Sequence, residues 1–386
     1  CIRDRPYTWD GSLERLLASQ PGQFGTVLED PARYRVQVLY TQIDRDADNR
    51  PSFRSFKYRL DPDEYFYPAS TVKLPTAVLA LEKLTALGVD GLDRDTEMRV
   101  GDETAGKSVG RYVREVLLVS DNQAFNRLYD FVGQQPLNRA LEEKGFADTR
   151  IMHRLEIALS VEDNRRTGPV RFVDGDAVVY EEAAAYSATD YTAPEPIPLG
   201  EAEIVGGERL ERPKDFATKN AYPLQAQHDV IQALMFPEAV DARRRFALTE
   251  DDYAFLYRNM SGYPGDSGIP EYADADRYPE GYVKFFMYGG DAPEVPDHIR
   301  IFNKVGDAYG FLTDAAYIVD FDNGVEFILA ATIFTNANQT FNDDTDEYDE
   351  IALPFMRHLG QAIYDIELQR ERAHRPDLSR FQVARD

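Results

Sequence analysis

Pro68-Ala69-Ser70-Thr71-Val72-Lys73-Leu74-Pro75 sets a hydroxyl and an amine three residues apart at the mouth of a helix. Ala77, Val78, Leu79, Leu81 and Leu84 follow at helical spacing, so the sequence predicts a buried helix beginning near Ser70 and stopping at Gly88. Pro75 tolerates only a first turn, which prevents the helix from starting much earlier. Ser70 and Lys73 then share one face, beside the unpaired N–H groups and the positive dipole end of that first turn. A nucleophile and a candidate base are thereby placed together.

Working outward, Tyr34–Tyr40 and Ser52–Tyr58 alternate as strands, and the Asp/Asn-rich link 44–49 suits a hairpin. Trp9–Ser19 has the spacing of a short amphipathic helix. Val109–Lys144 reads as mostly helical, contains Ser120-Asp121-Asn122, and stops at Gly145. From Arg154 to about Pro223 the periodicity dissolves into short strand-like pieces punctuated by Gly175, Pro194, Pro196 and Pro198, the pattern of an insertion or lid rather than a second core, with the inserted segment at about 165–223. Leu224–Met235 and Glu250–Met260 return to helix, and Ser261–Tyr278 reads as surface loop. Ile299–Gly306, Ala315–Phe321 and Val325–Thr335 are strands, the last two joined by the hairpin signal Asp322-Asn323-Gly324. Tyr348–Arg372 is a terminal helix interrupted early by Pro354. Strands early and late with helices between imply an α/β (α+β) chain: one antiparallel sheet completed by both chain ends, with a helical lobe. The expectation is a single domain of two lobes over residues 1–386.

Composition removes several classes of function. The 386 residues carry a formal charge of −25 and no basic cluster, which argues against a nucleic-acid partner and reads most simply as a solubilising surface. No run reaches the roughly 18 apolar residues of a membrane span. The only cysteine is Cys1, so cysteines provide neither a zinc site nor a disulfide framework, and the five histidines form no metal-ligand pair. Phe341–Glu347 is acidic but lacks the alternating ligands and central glycine of a calcium loop. No metal or organic cofactor is expected.

Three separated elements carry the chemistry: Ser70-Thr71-Val72-Lys73, Ser120-Asp121-Asn122, and Lys304-Val305-Gly306 on a late strand. In this order and these contexts they resemble the active-site serine penicillin-recognising enzymes, the class A β-lactamases and penicillin-binding D,D-peptidases. The resemblance spans nearly the whole chain apart from the inserted segment. It implies acyl transfer through Ser70, with Lys73 as base, Ser120 as proton relay and Asn122 holding Lys73 or the substrate amide. Lys304 would lower the Lys73 pKa and attract an anionic group of a β-lactam, peptide or ester. The backbone N–H groups of Ser70 and Asp307 would form the oxyanion hole. Glu156, in Glu156-Ile157-Ala158-Leu159-Ser160, partly matches the Glu-x-x-Leu-Asn loop whose glutamate activates the deacylating water; a surface-loop salt bridge is the other reading, and Glu162 is the reserve candidate.

Two departures stand out. Val305 replaces the threonine or serine whose hydroxyl binds a substrate carboxylate, at a cost of about 1.5–3 kcal/mol for one bond to a charged group. The long segment 165–223 is expected to reshape the cleft. Phe302–Gly310 and Asp314–Asp320 are similar to β-lactamase-like serine hydrolases of bacterial envelopes. A first-position cysteine likewise resembles a mature lipoprotein anchored through lipidated Cys1, unless a chain boundary merely falls there. The sequence thus leaves open a lactamase, a D,D-peptidase or esterase, and a catalytically silent binding protein of the same fold.

Overall fold

The computed structural model describes residues 11–290 and 294–384. Cys1, the expected lipid attachment point, and Trp9 lie outside them. The amphipathic N-terminal pattern forms α1 (Ser12–Ala18), followed by α2 (Pro21–Glu29).

A five-stranded antiparallel sheet holds the molecule together. β1 (Gln37–Arg45) and β2 (Pro51–Tyr58) form the early hairpin; β3 (Ile299–Ala308), β4 (Phe311–Asp320) and β5 (Val325–Phe334) arrive last. Their spatial order is β3-β4-β5-β1-β2, so the chain ends meet where β5 pairs with β1. Every residue of β4 and β5 is buried because both faces of the sheet are covered. Period-two alternation divides their side chains: Ala315, Tyr317 and Ile328 face the helical lobe, while Ala316, Ile318, Phe327 and Leu329 enter a second core under the terminal helix.

The helical lobe is built from α3 (Lys73–Leu87), α4 (Val109–Leu118), α5 (Asn122–Val132) and α6 (Gln134–Glu143). α7 (Leu224–Met235) lies against β1, β4 and β5, and α8 (Glu250–Ser261) against β3. α9 (Leu353–Gln369) covers the opposite face, beginning with Pro354 in its first turn after a wide π-helical turn at Tyr348–Ala352. No helix among the described residues is long and apolar enough to cross a membrane.

Two expectations are corrected and one is refined. Ser70 does not lie in regular α-helix: Ala69–Val72 is a tighter 3-10 turn, and the α-helix starts at Lys73. The 109–144 segment is mostly helical as read, divided into three helices by breaks at Ser120-Asp121 and at Gly133, whose φ is +84°. Ser261–Tyr278 is not simply surface loop, because Tyr263, Pro264 and Ser267 are buried in a turn fixed by Asp266.

The irregular segment after residue 165 is anchored by strand pairing. Val170–Asp174 and Ala177–Glu182 form a hairpin that extends Glu97–Val100, and Ala202–Val205 lies parallel to Thr340–Phe341. Phe216 is fully buried, with its ring 6.1 Å from Tyr67 and 5.4 Å from Tyr309. The segment therefore builds an aromatic wall next to the Ser70 turn.

Candidate active site

Three backbone irregularities bring the motif residues together. Ala69, Ser120 and Glu156 all have left-handed backbones, with φ of +47°, +56° and +54°. Such conformations are costly for residues with a Cβ and concentrate where surrounding structure forces a side chain into position. At Ala69 the strain turns the chain sharply into the 3-10 turn, where Thr71 closes back on the Pro68 carbonyl through its N–H at 3.1 Å and its hydroxyl at 2.7 Å. At Ser120 the strain separates α4 from α5. Asp121 then caps α5 by accepting the Ala124 N–H at 2.7 Å.

Ser120 sits between two buried amines. Lys73 Nζ donates to the Ser120 carbonyl and, at 3.2 Å, to its hydroxyl; Lys304 Nζ reaches the same hydroxyl at 2.9 Å and the Val305 carbonyl at 2.7 Å. Burial drives the Lys73 pKa well below that of a free lysine, and the neighbouring Lys304 lowers it further against the opposing charges of Asp121, Asp307 and Glu156. Burial likewise brings Lys304 down to about 7. Burial and the neighbouring Lys304 thus favour the neutral, proton-accepting form of Lys73, and Lys304 is close to its own titration near pH 7. Among the described residues, Lys73 directs its hydrogen bonds to Ser120 rather than Ser70; apo catalytic contacts commonly tighten only when substrate binds.

The free edge of β3 runs along the Ser70 turn. A Cβ added to Gly306 would stand 2.7 Å from Ser70 N and 2.8 Å from Pro68 O, so glycine is required for this approach. Behind Lys304, Asn303 is held by Asp314 and by Lys284, which donates to it at 2.8 Å. Val305 points the other way: it is buried in the second core beneath the sheet. Asp307, two residues on, is exposed, and its charge reaches both Lys304 and Lys73.

Glu156 belongs to this group. Asn122 donates to its carboxylate at 2.8 Å, so the Asn122 amide engages Glu156 rather than Lys73. The segment carrying Glu156 is clamped to α5 by Asn126, which donates to the Leu155 carbonyl and accepts from the Leu155 N–H, both at 2.9 Å. Arg154 adds a buried pair to Asp130. The reserve candidate Glu162 is corrected: its carboxylate is taken by Arg165, Arg166 and the Tyr186 hydroxyl.

His153 stacks on Tyr67, with ring centroids 6.2 Å apart and planes within 2°. Its Nδ1 faces the Arg154 carbonyl at 2.6 Å, while buried Nε2 has no partner. Burial lowers its pKa to about 4, which fits a neutral packing residue. Sequence reading missed Asn126 as the clamp on Glu156, although its position one helical turn after Asn122 places it on the same face of α5. It also missed Phe216, whose place beside Tyr67 has no signal in local sequence.

Residues 13–193 match the Beta-lactamase enzyme family. Among solved structures, β-lactamase from Sphaerobacter thermophilus DSM 20745 is similar over 95% of this chain and 100% of its own, with 14% identity and a TM-score of 0.51. PBP-A is similar over 92% of this chain and 96% of its own, with 15% identity and a TM-score of 0.50. At such identities the likeness is one of fold. No curated protein sequence matches the chain. Residues 13–193 thus resemble the Beta-lactamase enzyme family, and the chain shares the fold of these β-lactamase and PBP-A structures.

Proposed function

We propose that the protein is a serine hydrolase working by acyl transfer through a covalent Ser70 ester. The observation that carries this reading is the buried, low-pKa Lys73 amine one turn from Ser70, joined through the Ser120 hydroxyl to Lys304. Neutral Lys73 takes the Ser70 proton as Oγ attacks the acyl carbon, forming a C–O bond. The proton passes through Ser120 to the leaving nitrogen or oxygen as its bond to the acyl carbon breaks. The N–H groups of Ser70 and Asp307 receive the developing oxyanion. Glu156, with Asn122 beside it, deprotonates the water that hydrolyses the ester and restores Ser70.

Within this chemistry, Val305 counts against both a β-lactam and a peptide ending in a carboxylate, and favours an ester donor without one. Its side chain is buried and carries no hydroxyl for a substrate carboxylate. Time-resolved intact-mass measurement with a penicillin, following protein and drug together for wild type and Ser70→Ala, tests both levels. A lasting Ser70-dependent adduct supports a peptidase-like enzyme, and Ser70-dependent drug hydrolysis supports a lactamase. The same measurement with a fluorophosphonate asks about the nucleophile itself. No Ser70-dependent adduct with either reagent would overturn acyl transfer and leave a binding protein.

A further inference from the structure

A second cleft, of about 420 Å³, opens where three parts of the chain meet: the connection from α2 to β1, the inserted segment, and the adjacent ends of β4 and β5. None of Ser70, Lys73, Ser120, Glu156 and Lys304 lines it. Its size is that of clefts that enclose small molecules, whose walls are mostly apolar with a few fixed polar groups. Pro198 and Leu199 of the insert form one apolar wall, and Phe311 and Phe334 form another, with their rings 4.6 Å apart. The insert is drawn in closely at Gly200, where φ is +69° and a Cβ would stand 2.6 Å from the Phe341 ring. Just beyond, the Gln339 carbonyl accepts the Glu201 N–H at 2.8 Å and the Ala202 N–H at 3.1 Å, and Pro198 and Leu199 pair with Lys214 and Asp215 as strands. The insert wall is thereby fixed to the body of the fold.

The charge comes from the third wall and has one sign. Arg33 and Arg35 line the cleft, and no aspartate or glutamate does. Arg33 is exposed and has no carboxylate partner among the described residues; its guanidinium lies 5.7 Å from the Tyr34 ring. Arg35 is half-buried on a left-handed backbone, φ +43°. It donates to the Tyr65 carbonyl at 2.6 Å, Glu64 stands 3.7 Å from its other terminal nitrogen, and its buried Nε has no partner. Burial lowers its pKa, and Glu64 offsets only part of that. A guanidinium carries five N–H donors and a buried donor left unused is costly, so the protein's own groups leave Arg35 under-paired. Because Glu64 already balances some of the charge, a monoanion suits the pair of arginines better than a dianion.

We propose that this cleft binds a small carboxylate with an apolar body, the carboxylate taken by Arg33 and Arg35 and the hydrocarbon lying between Leu199 and the Phe311–Phe334 pair. The site is separate from Ser70, and binding there does not depend on acyl transfer.

The test titrates octanoate, its neutral isostere octanamide, acetate and inorganic phosphate calorimetrically into Ser70→Ala, which removes turnover. Octanoate should bind with a dissociation constant no weaker than about 1 mM, as a ligand of this size can reach. It should bind roughly tenfold more tightly than octanamide, for one charge-assisted contact. Acetate, without the apolar body, and phosphate should both bind more weakly than octanoate. In the same background Arg33→Glu, at an exposed position, should remove the preference for octanoate. Arg35→Met should do the same, and if that variant unfolds the Arg33→Glu comparison decides alone. Leu199→Trp should weaken octanoate and octanamide together by filling the cleft. Octanoate binding weaker than about 1 mM overturns the proposal, as does equal binding of octanoate and octanamide. So does acetate or phosphate binding as tightly as octanoate, or octanoate binding untouched by Arg33→Glu or by Leu199→Trp. The wild type should bind octanoate as Ser70→Ala does whether or not Ser70 acylates, so failure of acyl transfer and failure of this site are read separately.

Discussion

Replacing Lys304 with methionine should move the acid limb of Ser70 acylation to higher pH. Lys73 and Lys304 reach one hydroxyl oxygen, Ser120 Oγ, at 3.2 and 2.9 Å, so their nitrogens are no more than about 6 Å apart. Two unit charges at that distance repel by about 3 kcal/mol at an effective dielectric of 20. At 1.36 kcal/mol per tenfold change in proton affinity, that corresponds to about two pH units. Lys304 itself titrates at about 7 and carries only part of its charge there, which brings the expected movement to roughly one to two pH units. The sign follows from the role of Lys73 as base. Without the neighbouring cation Lys73 keeps its proton to higher pH, so the neutral form appears later as pH rises. Burial is the larger cause of the Lys73 shift, so the limb should still lie below that of a free lysine. Methionine preserves most of the buried volume and limits collapse. The assay is the rate of Ser70 labelling by a fluorophosphonate, followed by intact mass from pH 4.5 to 10. A limb that stays in place or moves to lower pH would refute the argument that Lys304 sets the proton affinity of Lys73.

Two further expectations concern the walls of the cleft. His153 should make the fold acid-sensitive: its folded pKa is about 4 against 6.5 in the unfolded chain, so its contribution is lost as pH falls through that window, by about 3 kcal/mol at most. Urea unfolding at pH 7.5, 6 and 4.5 should show this slope in wild type and lose that part of it in His153→Phe; equal slopes would exclude the histidine as its source. Asn126→Leu should leave the Leu155 N–H and carbonyl unpaired, destabilise the protein by roughly 2–4 kcal/mol, and lengthen the life of the acyl-enzyme more than it slows its formation. An unchanged acyl-enzyme lifetime would remove Glu156 from deacylation.

Much of this molecule is local enough to be legible in the residue order. α7 falls on Leu224–Met235 as read, because apolar periodicity and the flanking Pro223 and Phe236 act within a few residues. The β4–β5 hairpin follows from Asp322-Asn323-Gly324, where Gly324 takes a φ of +64°. The three motifs were legible for a different reason: residue type and order point to a chemistry whatever the intervening fold.

What one-dimensional reading could not supply was direction. Ser70 is followed by a tight turn instead of regular helix because Ala69 is forced into a left-handed backbone against the Gly306 strand, a contact across more than half the chain. Glu156 and Glu162 are both acidic residues of one loop, yet Asn122 and Asn126 on α5 bring the first into the site while two arginines and a tyrosine hold the second outside. Val305 and Asp307 stand two residues apart on one strand, but sheet burial hides the first and leaves the second exposed to solvent. The sequence by itself determined which functional groups are present and in what order, because covalent spacing and periodicity are local. Only the tertiary structure decided which of those groups keep their charge, lose it to burial or meet solvent, because desolvation and Coulomb interaction depend on distances in space that the chain order does not contain.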